Sequence, residues 1–204
     1  MAVPDDRAHL MDLLADIEDA DAIERDHRAA ARAWAGSGAP LYRTRPPDVP
    51  PMHLVSYFVV LDEAGRLLLT AHRKAGLWLP PGGHVEPGED PWATVVRECG
   101  EELRLPAVPA FAARPLFVTV TDTRGAGRHT DVSLWYVLRA RADQVRWYDP
   151  GEFTAIRWLT PEQVYAEPID TLDPHLHRFA RKLAGRSLTE RGGDAVEGGA
   201  HPGA

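Results

Sequence analysis

A 24-residue stretch near the middle of the chain constrains the fold more than any other feature. Residues 82–105 read GGHVEPGEDPWATVVRECGEELRL, a Gly-Gly pair followed by five glutamates within 17 residues. Within residues 90–105 the only proline is Pro91, which a helix tolerates in its first turn. Apolar residues then recur at helical spacing, at Ala93, Val96, Cys99 and Leu103. The pattern predicts a glycine loop that leads into an amphipathic helix.

Three of the glutamates share one face of this predicted helix. Glu98 lies three residues before Glu101 and four before Glu102, and side chains at these spacings are neighbours on a helix. Their like charges repel by roughly 0.2–0.5 kcal/mol per pair in water, so a divalent cation would stabilise the group. Most glutamate-rich helices only present an acidic face to solvent. Here the Gly-Gly loop, the separate Glu89 and the adjacent Arg97 favour a metal site instead.

The rest of the chain alternates between strand and helix patterns. β-branched and aromatic runs predict strands over residues 53–61, 66–71, 114–121, 130–140 and 154–159. Helices are predicted as one continuous segment over residues 5–35, after the Thr160-Pro161 cap, and over residues 174–184. This order predicts an α+β domain in which helices flank a mixed sheet.

Charge and cysteine content exclude several classes of protein. The chain has 23 Lys+Arg and 30 Asp+Glu, a net charge of −7, whereas nonspecific nucleic-acid binding needs a basic face. Its single cysteine excludes an internal disulfide framework and a cysteine-rich zinc site. No apolar run reaches the roughly 20 residues that span a bilayer, and the first residues do not read as a secretory signal. We therefore expect a cytoplasmic protein with no membrane or nucleic-acid partner.

The spacing of these charged residues and glycines resembles the Nudix box. Five residues separate Gly83 from Glu89, seven more lead to Arg97-Glu98, and Glu101-Glu102 follow at the family's spacing. The neighbouring runs 76–83 and 157–163 are also similar to the segments that flank the box, so the resemblance covers roughly residues 53–170.

Two positions depart from the family pattern. Cys99 stands where the family has a larger aliphatic residue, which is a mild change because a free cysteine packs as a small hydrophobe. Arg104 stands where the family has the glycine that ends the helix. We therefore expect a slightly different helix end and unchanged metal chemistry.

The resemblance implies a Nudix α/β/α sandwich with a mixed sheet and an N-terminal helical extension. We predict three parts: a helix and a proline-rich connector over residues 1–50, the Nudix domain over residues 51–185, and a disordered glycine-rich tail over residues 186–204. The extension is expected to pack on the domain, cap the site or build a homodimer, and simple packing is favoured.

The resemblance also implies a site for Mg²⁺ or Mn²⁺. The metal ligands would be Glu98, Glu101, Glu102 and the Gly83 carbonyl. Glu98 occupies the position where the family often has its water-activating base. The catalytic set implied is completed by Glu101, by Arg97 paired with the structural box residue Glu89, and by a further carboxylate from a loop, for which Glu152 is the candidate and Asp131 the alternative.

Candidate substrate contacts lie beside the box. His84, Arg73 and Gly82 are the predicted substrate-binding residues, because they lie in or next to the glycine loop. The other nearby histidines, His53, His72 and His129, are interpreted as surface or structural residues. Four aromatic residues on strands are interpreted mainly as core, namely Tyr57, Phe117, Trp135 and Tyr136.

The function implied is hydrolysis of a pyrophosphate linkage by water attack at phosphorus. The substrate would be a nucleoside diphosphate derivative or a nucleoside triphosphate, which the acidic site would bind through metal. The main alternative is a non-catalytic Nudix-fold nucleotide sensor or regulator, which the intact box disfavours. Isopentenyl-diphosphate isomerase shares the fold but uses a cysteine, and the only cysteine here lies on the box helix.

Overall fold

The structure, a computed structural model, describes residues 6–44, 50–123 and 128–193, with the backbone alone over residues 187–193. Within these residues the helices are α1 (Asp6–Ala15), α2 (Ala22–Gly36), α3 (Pro91–Leu103), α4 (Pro161–Ala166) and α5 (Leu176–Gly193). The strands are β1 (Met52–Leu61), β2 (Leu67–His72), β3 (Leu77–Leu79), β4 (Gly82–His84), β5 (Phe117–Asp122), β6 (Thr130–Arg139) and β7 (Phe153–Leu159).

The strands form one mixed sheet around the long pair β1 and β6. These two strands run parallel in continuous register from Met52↔Thr130 to Leu61↔Arg139. The order across the sheet is β3-β2-β1-β6-β5, while β4 pairs with β1 and β7 pairs with β2. These other pairings are antiparallel. The predicted mixed sheet is therefore confirmed.

Helices cover both faces of this sheet because β1 and β6 are apolar on both sides. On one face, Leu54 and Phe58 of β1 pack in a core with Val95 and Cys99 of α3. On the other face, residues of β1 and β6 pack against α4 and α5 in a second core that includes Phe179. Alternate residues of a strand point to opposite faces, so a doubly apolar strand requires a layer on each side. The predicted α/β/α sandwich follows.

The N-terminal extension differs from the single helix predicted over residues 5–35. It forms α1 and α2, and α2 begins after Asp21, whose carboxylate accepts a hydrogen bond from the Glu24 N–H at 2.8 Å. Aspartate at this N-cap position satisfies a backbone donor that would otherwise have no partner. Ile17, between the two helices, continues the apolar spacing and is buried like the residues of α1. The spacing alone therefore does not reveal the interruption.

The extension belongs to the same core as the sheet. Leu10, Leu13 and Leu14 of α1 are almost fully buried in the cluster that also contains Leu54 and Phe58. Of the three roles expected for the extension, packing on the domain is the one that these contacts display.

Other differences concern segments predicted as loops or tail. Two three-residue strands, β3 and β4, lie in the segment before α3 that includes the predicted glycine loop, where no strand is predicted. The last helix continues to Gly193, beyond its predicted end at residue 184 and into the segment assigned to the tail. The remainder of that tail (194–204), residues 45–49 of the proline-rich connector and residues 124–127 between β5 and β6 lie outside the described residues. None of the described helices combines the length and apolar character needed to cross a bilayer.

Candidate active site

Helix α3 carries the carboxylates, and its own caps and apolar face determine where they lie. Asp90 is the N-cap, and its side chain accepts a hydrogen bond from the Trp92 N–H at 2.8 Å. Pro91 occupies the start of the helix, where a missing N–H costs nothing. The buried stripe that includes Val95 and Cys99 presses the helix against the sheet. The glutamates are thereby directed to the side of the helix that faces the glycine loop.

The C-terminal end of α3 shows how the chain tolerates Arg104 in place of glycine. Arg104 adopts the left-handed conformation, with φ 54° and ψ 37°. Its N–H donates to the Gly100 carbonyl at 3.2 Å, and the Leu105 N–H donates to the Cys99 carbonyl at 3.3 Å. A glycine at this position would end the helix in the same left-handed conformation. The different helix end expected from the sequence is therefore not observed. The guanidinium lies 3.9 Å from the ring centroid of Trp147, a cation–π contact that offsets part of the backbone strain.

Glu102 is the most deeply buried of the three helix carboxylates. Its residue surface is only 6% exposed, and its Oε2 accepts a hydrogen bond from the Gly82 N–H at 3.0 Å. Burial, together with the nearby charge of Glu98, raises the pKa of Glu102 to about 9. A bound cation would favour the ionised form, so this carboxyl has the chemistry of a metal ligand.

Glu98 and Glu101 lie on the same side of α3 in different surroundings. The Glu98 carboxylate is largely buried and accepts a hydrogen bond from Arg97 Nη1 at 2.7 Å. Burial raises its pKa, although the Arg97 charge opposes the shift. Glu101 is 63% exposed at its side chain and lies 3.5 Å from Arg97 Nη1. The three carboxylates therefore run from buried to solvent-facing, which leaves one side of the cluster open to a ligand.

Arg97 ties the glycine loop to the helix. Its Nε and Nη2 donate to the two oxygens of Glu89 at 2.9 and 3.0 Å, and Nη2 also donates to the His84 carbonyl at 3.2 Å. Thr94 donates to the same Glu89 carboxylate at 2.7 Å. Burial raises the pKa of Glu89, but these hydrogen bonds more than offset it and the pKa is lowered. The ion pair expected from the sequence is present.

The two box glycines allow backbone to come within contact distance of other groups. Gly82 has a φ of +146°, and a Cβ there would overlap the Ser56 carbonyl oxygen. A Cβ on Gly83 would overlap the Glu98 carboxylate. Any side chain would thus fill the space in which the Gly83 backbone and Glu98 face each other. This cradle fits the donor set expected for a hard cation, namely carboxylate and carbonyl oxygens.

The loop before β7 brings Glu152 to the same side of the molecule. The N–H of Asp149 in this loop donates to the Glu102 carbonyl at 2.8 Å, and the charge of Glu152 contributes to the raised pKa of Glu102. The Glu152 carboxylate lies 3.6 Å from His72 Nε2 and 3.9 Å from Lys74 Nζ. No motif in the sequence marks Asp149; its only signal is an acidic side chain three residues before Glu152.

Arg73 and His84 lie differently from what substrate contact alone would suggest. Arg73 Nε donates to the Pro150 carbonyl at 2.7 Å, so its guanidinium braces the loop that carries Glu152. The His84 ring Nε2 lies 2.9 Å from His53 Nε2 and 4.0 Å from Asp131. Burial, followed by the charge of Arg43, lowers the pKa of His84 to about 4. Asp131, the alternative to Glu152, joins histidines and not the α3 carboxylates.

The aromatic residues and the cysteine behave as expected for core. Phe117, Trp135 and Tyr136 are fully buried, and Tyr57 packs edge-on against Trp135. Cys99 is 1% exposed, and burial raises the pKa of its thiol to about 12. It is a packing residue.

The fold is a mixed sheet between helices, and its candidate site is a carboxylate-bearing helix that faces a glycine loop. Comparison with known proteins identifies the protein family that has this fold and site. A family model described as the NUDIX domain matches residues 51–183. The chain therefore belongs to the NUDIX family, which generally uses divalent metals.

Several relatives are similar over much of the chain. A MutT-like protein of Streptomyces ambofaciens is 33% identical over 128 residues, covering 61% of this chain and 76% of its own. An RNA pyrophosphohydrolase of Nitrobacter winogradskyi is 28% identical over 169 residues, covering 72% and 93%. An isopentenyl-diphosphate Delta-isomerase of Frankia alni is 34% identical over 116 residues, covering 53% and 58%.

Solved structures support the fold. The crystal structure of a MutT protein from Methanosarcina mazei superposes with a TM-score of 0.53 at 21% identity, covering 67% of this chain and 96% of that one. At this identity the likeness concerns the fold alone. Together with the family match, it confirms the predicted fold class.

Proposed function

We propose that the chain is a Mg²⁺- or Mn²⁺-dependent pyrophosphohydrolase. It would cleave the pyrophosphate linkage of a nucleoside diphosphate derivative or a nucleoside triphosphate by water attack at phosphorus. The observation that carries this proposal is the buried carboxyl of Glu102, which is held against the glycine loop beside Glu98 with a pKa raised to about 9. Membership of the NUDIX family and relatives named as pyrophosphohydrolases support the enzyme class.

Glu98, Glu101, Glu102 and the Gly83 carbonyl are the residues that would hold the metal. When bound, the metal neutralises the phosphate charge and lowers the pKa of coordinated water. The raised pKa values of Glu98 and Glu102 fit this assignment because a nearby cation would compensate the buried negative charge.

The remaining residues of the box would position these ligands. Arg97 holds Glu98 and the glycine loop together through its bonds to Glu89 and the His84 carbonyl. Glu98 would accept the proton of the attacking water, since burial raises its pKa toward the range useful for a base. Glu152 would contribute from the loop before β7, where its charge acts on Glu102.

Two of the predicted substrate-binding residues lie beside the candidate metal ligands. Gly82 lies in the loop closest to the carboxylates, and Arg73 lies at the base of the loop carrying Glu152. The His84 ring turns toward His53 and Asp131, so of the predicted substrate contacts it is the one that this geometry does not favour. The cytoplasmic location and the homodimer stay predictions of the sequence, and size-exclusion chromatography with light scattering tests the second.

The test is turnover of a substrate panel by the purified chain. We would incubate it with Mg²⁺ or Mn²⁺ and nucleoside triphosphates, ADP-ribose, nucleotide sugars, dinucleotides or 5′-triphosphate RNA, and measure release of phosphate or pyrophosphate. Glu98→Gln and Glu102→Gln should each lower kcat at least a hundredfold. Glu86→Gln, at an exposed glutamate between β4 and α3, serves as the control. Near-normal turnover by Glu102→Gln would contradict the metal assignment.

Two other functions make different predictions in that assay. A nucleotide sensor would bind one member of the panel tightly without turning it over, and the substitutions would alter binding only. The isomerase reaction needs an accessible cysteine, whereas Cys99 is buried between α3 and the sheet with its thiol pKa raised to about 12. The structure therefore disfavours the isomerase despite the named relative.

A further inference from the structure

Four side chains converge at one end of the sheet, apart from the α3 carboxylates. We call them the histidine cluster: His53 on β1, His84 on β4, His129 just before β6, and Asp131 at the start of β6. Each offers one ligand atom, and the four atoms all lie within 4.8 Å of one another. These residues come from positions up to 78 apart in the sequence, so the tertiary structure alone assembles them.

The cluster and α3 lie on opposite faces of the sheet. His53 pairs with Asp131 across β1 and β6, and His84 pairs with Val55, so their side chains share one face. Ser56 is directed to the other face, where its hydroxyl donates to the Pro91 carbonyl at the start of α3. The histidine cluster is therefore separate from the carboxylates of the candidate active site.

The distances within the cluster match the edges of a tetrahedral shell. Zinc bonds of about 2.0–2.1 Å place tetrahedral ligand atoms about 3.4 Å apart. His53 Nε2 and His129 Nε2 lie 3.4 and 3.2 Å from Asp131 Oδ1, and His84 Nε2 lies 4.0 Å from it. His53 Nε2 and His84 Nε2 are 2.9 Å apart. Small side-chain adjustments would place all four atoms on one ion.

The hydrogen bonds behind two of the rings aim lone pairs into the cluster. His53 Nδ1 lies 3.0 Å from the Pro50 carbonyl, which only accepts, so the proton resides on Nδ1 and Nε2 carries a lone pair. The Thr123 hydroxyl lies 3.2 Å from both the His129 carbonyl and His129 Nδ1; when it donates to the carbonyl it accepts from Nδ1, and His129 then has the same tautomer. Such partners on the second ring nitrogen are the usual support for metal-binding histidines.

Asp131 supplies a second, independent observation. The residue is 8% exposed, and its Oδ1 is buried with no hydrogen-bond partner among the described residues. A buried carboxylate oxygen that receives no hydrogen bond is costly, and the groups that face it include the Nε2 atoms of His53 and His129 at 3.4 and 3.2 Å. A cation at the centre of the cluster would satisfy all three groups together.

We propose that the histidine cluster binds one divalent transition-metal ion of the zinc class through three imidazole nitrogens and one carboxylate oxygen. Four protein ligands fill a tetrahedral shell, which is the pattern of a structural site. Imidazole-rich sites favour zinc over Mg²⁺, so the two sites would select different ions. The ion would join β1, β4 and β6 and hold the glycine loop in place, because His84 directly follows Gly83.

The test measures zinc on the full chain with excess Mg²⁺ present, so that the α3 carboxylates do not retain zinc. Metal-stripped protein is given Zn²⁺ alone as probe, and stoichiometry is read by mass spectrometry and by competition with a chromophoric chelator. Co²⁺ substitution reports geometry through its visible absorption. The variants are His129→Gln and Asp131→Asn, with His72→Gln as control because His72 also lies near a carboxylate, Glu152, but outside the cluster.

We expect one zinc per chain, intense tetrahedral Co²⁺ bands and at least a tenfold loss of zinc affinity in His129→Gln and Asp131→Asn. His72→Gln and Glu102→Gln should bind zinc like the original chain. The proposal would be overturned if the chain bound no zinc in the presence of excess Mg²⁺. It would also be overturned if Glu102→Gln lost zinc binding while His129→Gln kept it. If a variant fails to fold, histidine NMR shifts of the unsubstituted chain on adding Zn²⁺ distinguish the same outcomes: the cluster histidines should shift, and unchanged signals would refute the site.

Discussion

The Glu102 carboxyl accepts a hydrogen bond from the Gly82 N–H at 3.0 Å, and this contact joins the last turn of α3 to the glycine loop. The acceptor is almost fully buried, and burial together with the Glu98 charge raises its pKa from 4.5 to about 9. The Glu102 carboxylate is therefore suited to bind a cation, and its negative charge destabilises the folded chain when no cation is bound.

Glu102→Gln should stabilise the metal-free chain at alkaline pH. Between the ordinary pKa and about 9, the unfolded chain has lost this proton while the native chain keeps it, so stability falls as pH rises. Glutamine removes that dependence and retains a hydrogen-bond acceptor. We expect a gain of up to about 5 kcal/mol near pH 8 and little near pH 4, measured by urea unfolding with a chelator. An equal effect at both pH values would contradict the burial argument.

Two glycine-to-alanine substitutions should act in opposite directions. Gly83→Ala places a Cβ against the Glu98 carboxylate, so turnover and the melting-temperature rise caused by Mn²⁺ should both fall sharply. Gly100→Ala, on the same helix as Glu98, meets nothing within 4 Å and should stabilise the chain by about 1 kcal/mol with activity retained. Thermal unfolding with and without Mn²⁺ compares the pair. Tolerance of alanine at residue 83 would refute the close approach.

Arg97→Lys should weaken the link between loop and helix. Lysine retains the charge but loses the paired hydrogen bonds to Glu89 and the bond to the His84 carbonyl. We expect a loss of about 1–2 kcal/mol in unfolding free energy and at least a tenfold lower kcat. Arg25→Lys, at an exposed arginine 3.8 Å from Asp19, should change neither. Equal effects of the two substitutions would argue against a special role for Arg97.

Lys182→Met should destabilise the docking of the N-terminal extension. Lys182 Nζ pairs with Glu24 Oε1 at 2.6 Å, and Glu24 is fully buried, so removing the lysine leaves a buried charge without its partner. Breaking a pair of this kind costs about 3–5 kcal/mol. The double variant Glu24→Gln/Lys182→Met should recover much of the loss in urea unfolding. Arg181→Met, at an exposed residue of α5, is the control, and the same loss there would contradict the argument.

Much of the fold could be predicted because its signals are local. Apolar periodicity predicts the main strands and helix α3, and their positions agree with the structure to within a few residues. Periodicity does not reveal the break between α1 and α2, because Ile17 continues the apolar spacing across it. Nor does it reveal β3 and β4, which are short and flanked by glycine or proline. These two strands form because β2 and β1 provide backbone hydrogen-bond partners, which their own residues do not predict.

The residues and spacing within 83–102 resemble the Nudix box, and that resemblance alone predicted the family. Helix geometry added that Glu98, Glu101 and Glu102 share one face. The family match confirms that prediction. Only the tertiary structure decided which carboxyl is buried and that Asp149 joins the Glu152 loop to α3. It also decided that His84 turns toward His53, His129 and Asp131. Burial and long-range pairing depend on how strands register against one another, and no interval along the chain encodes that register.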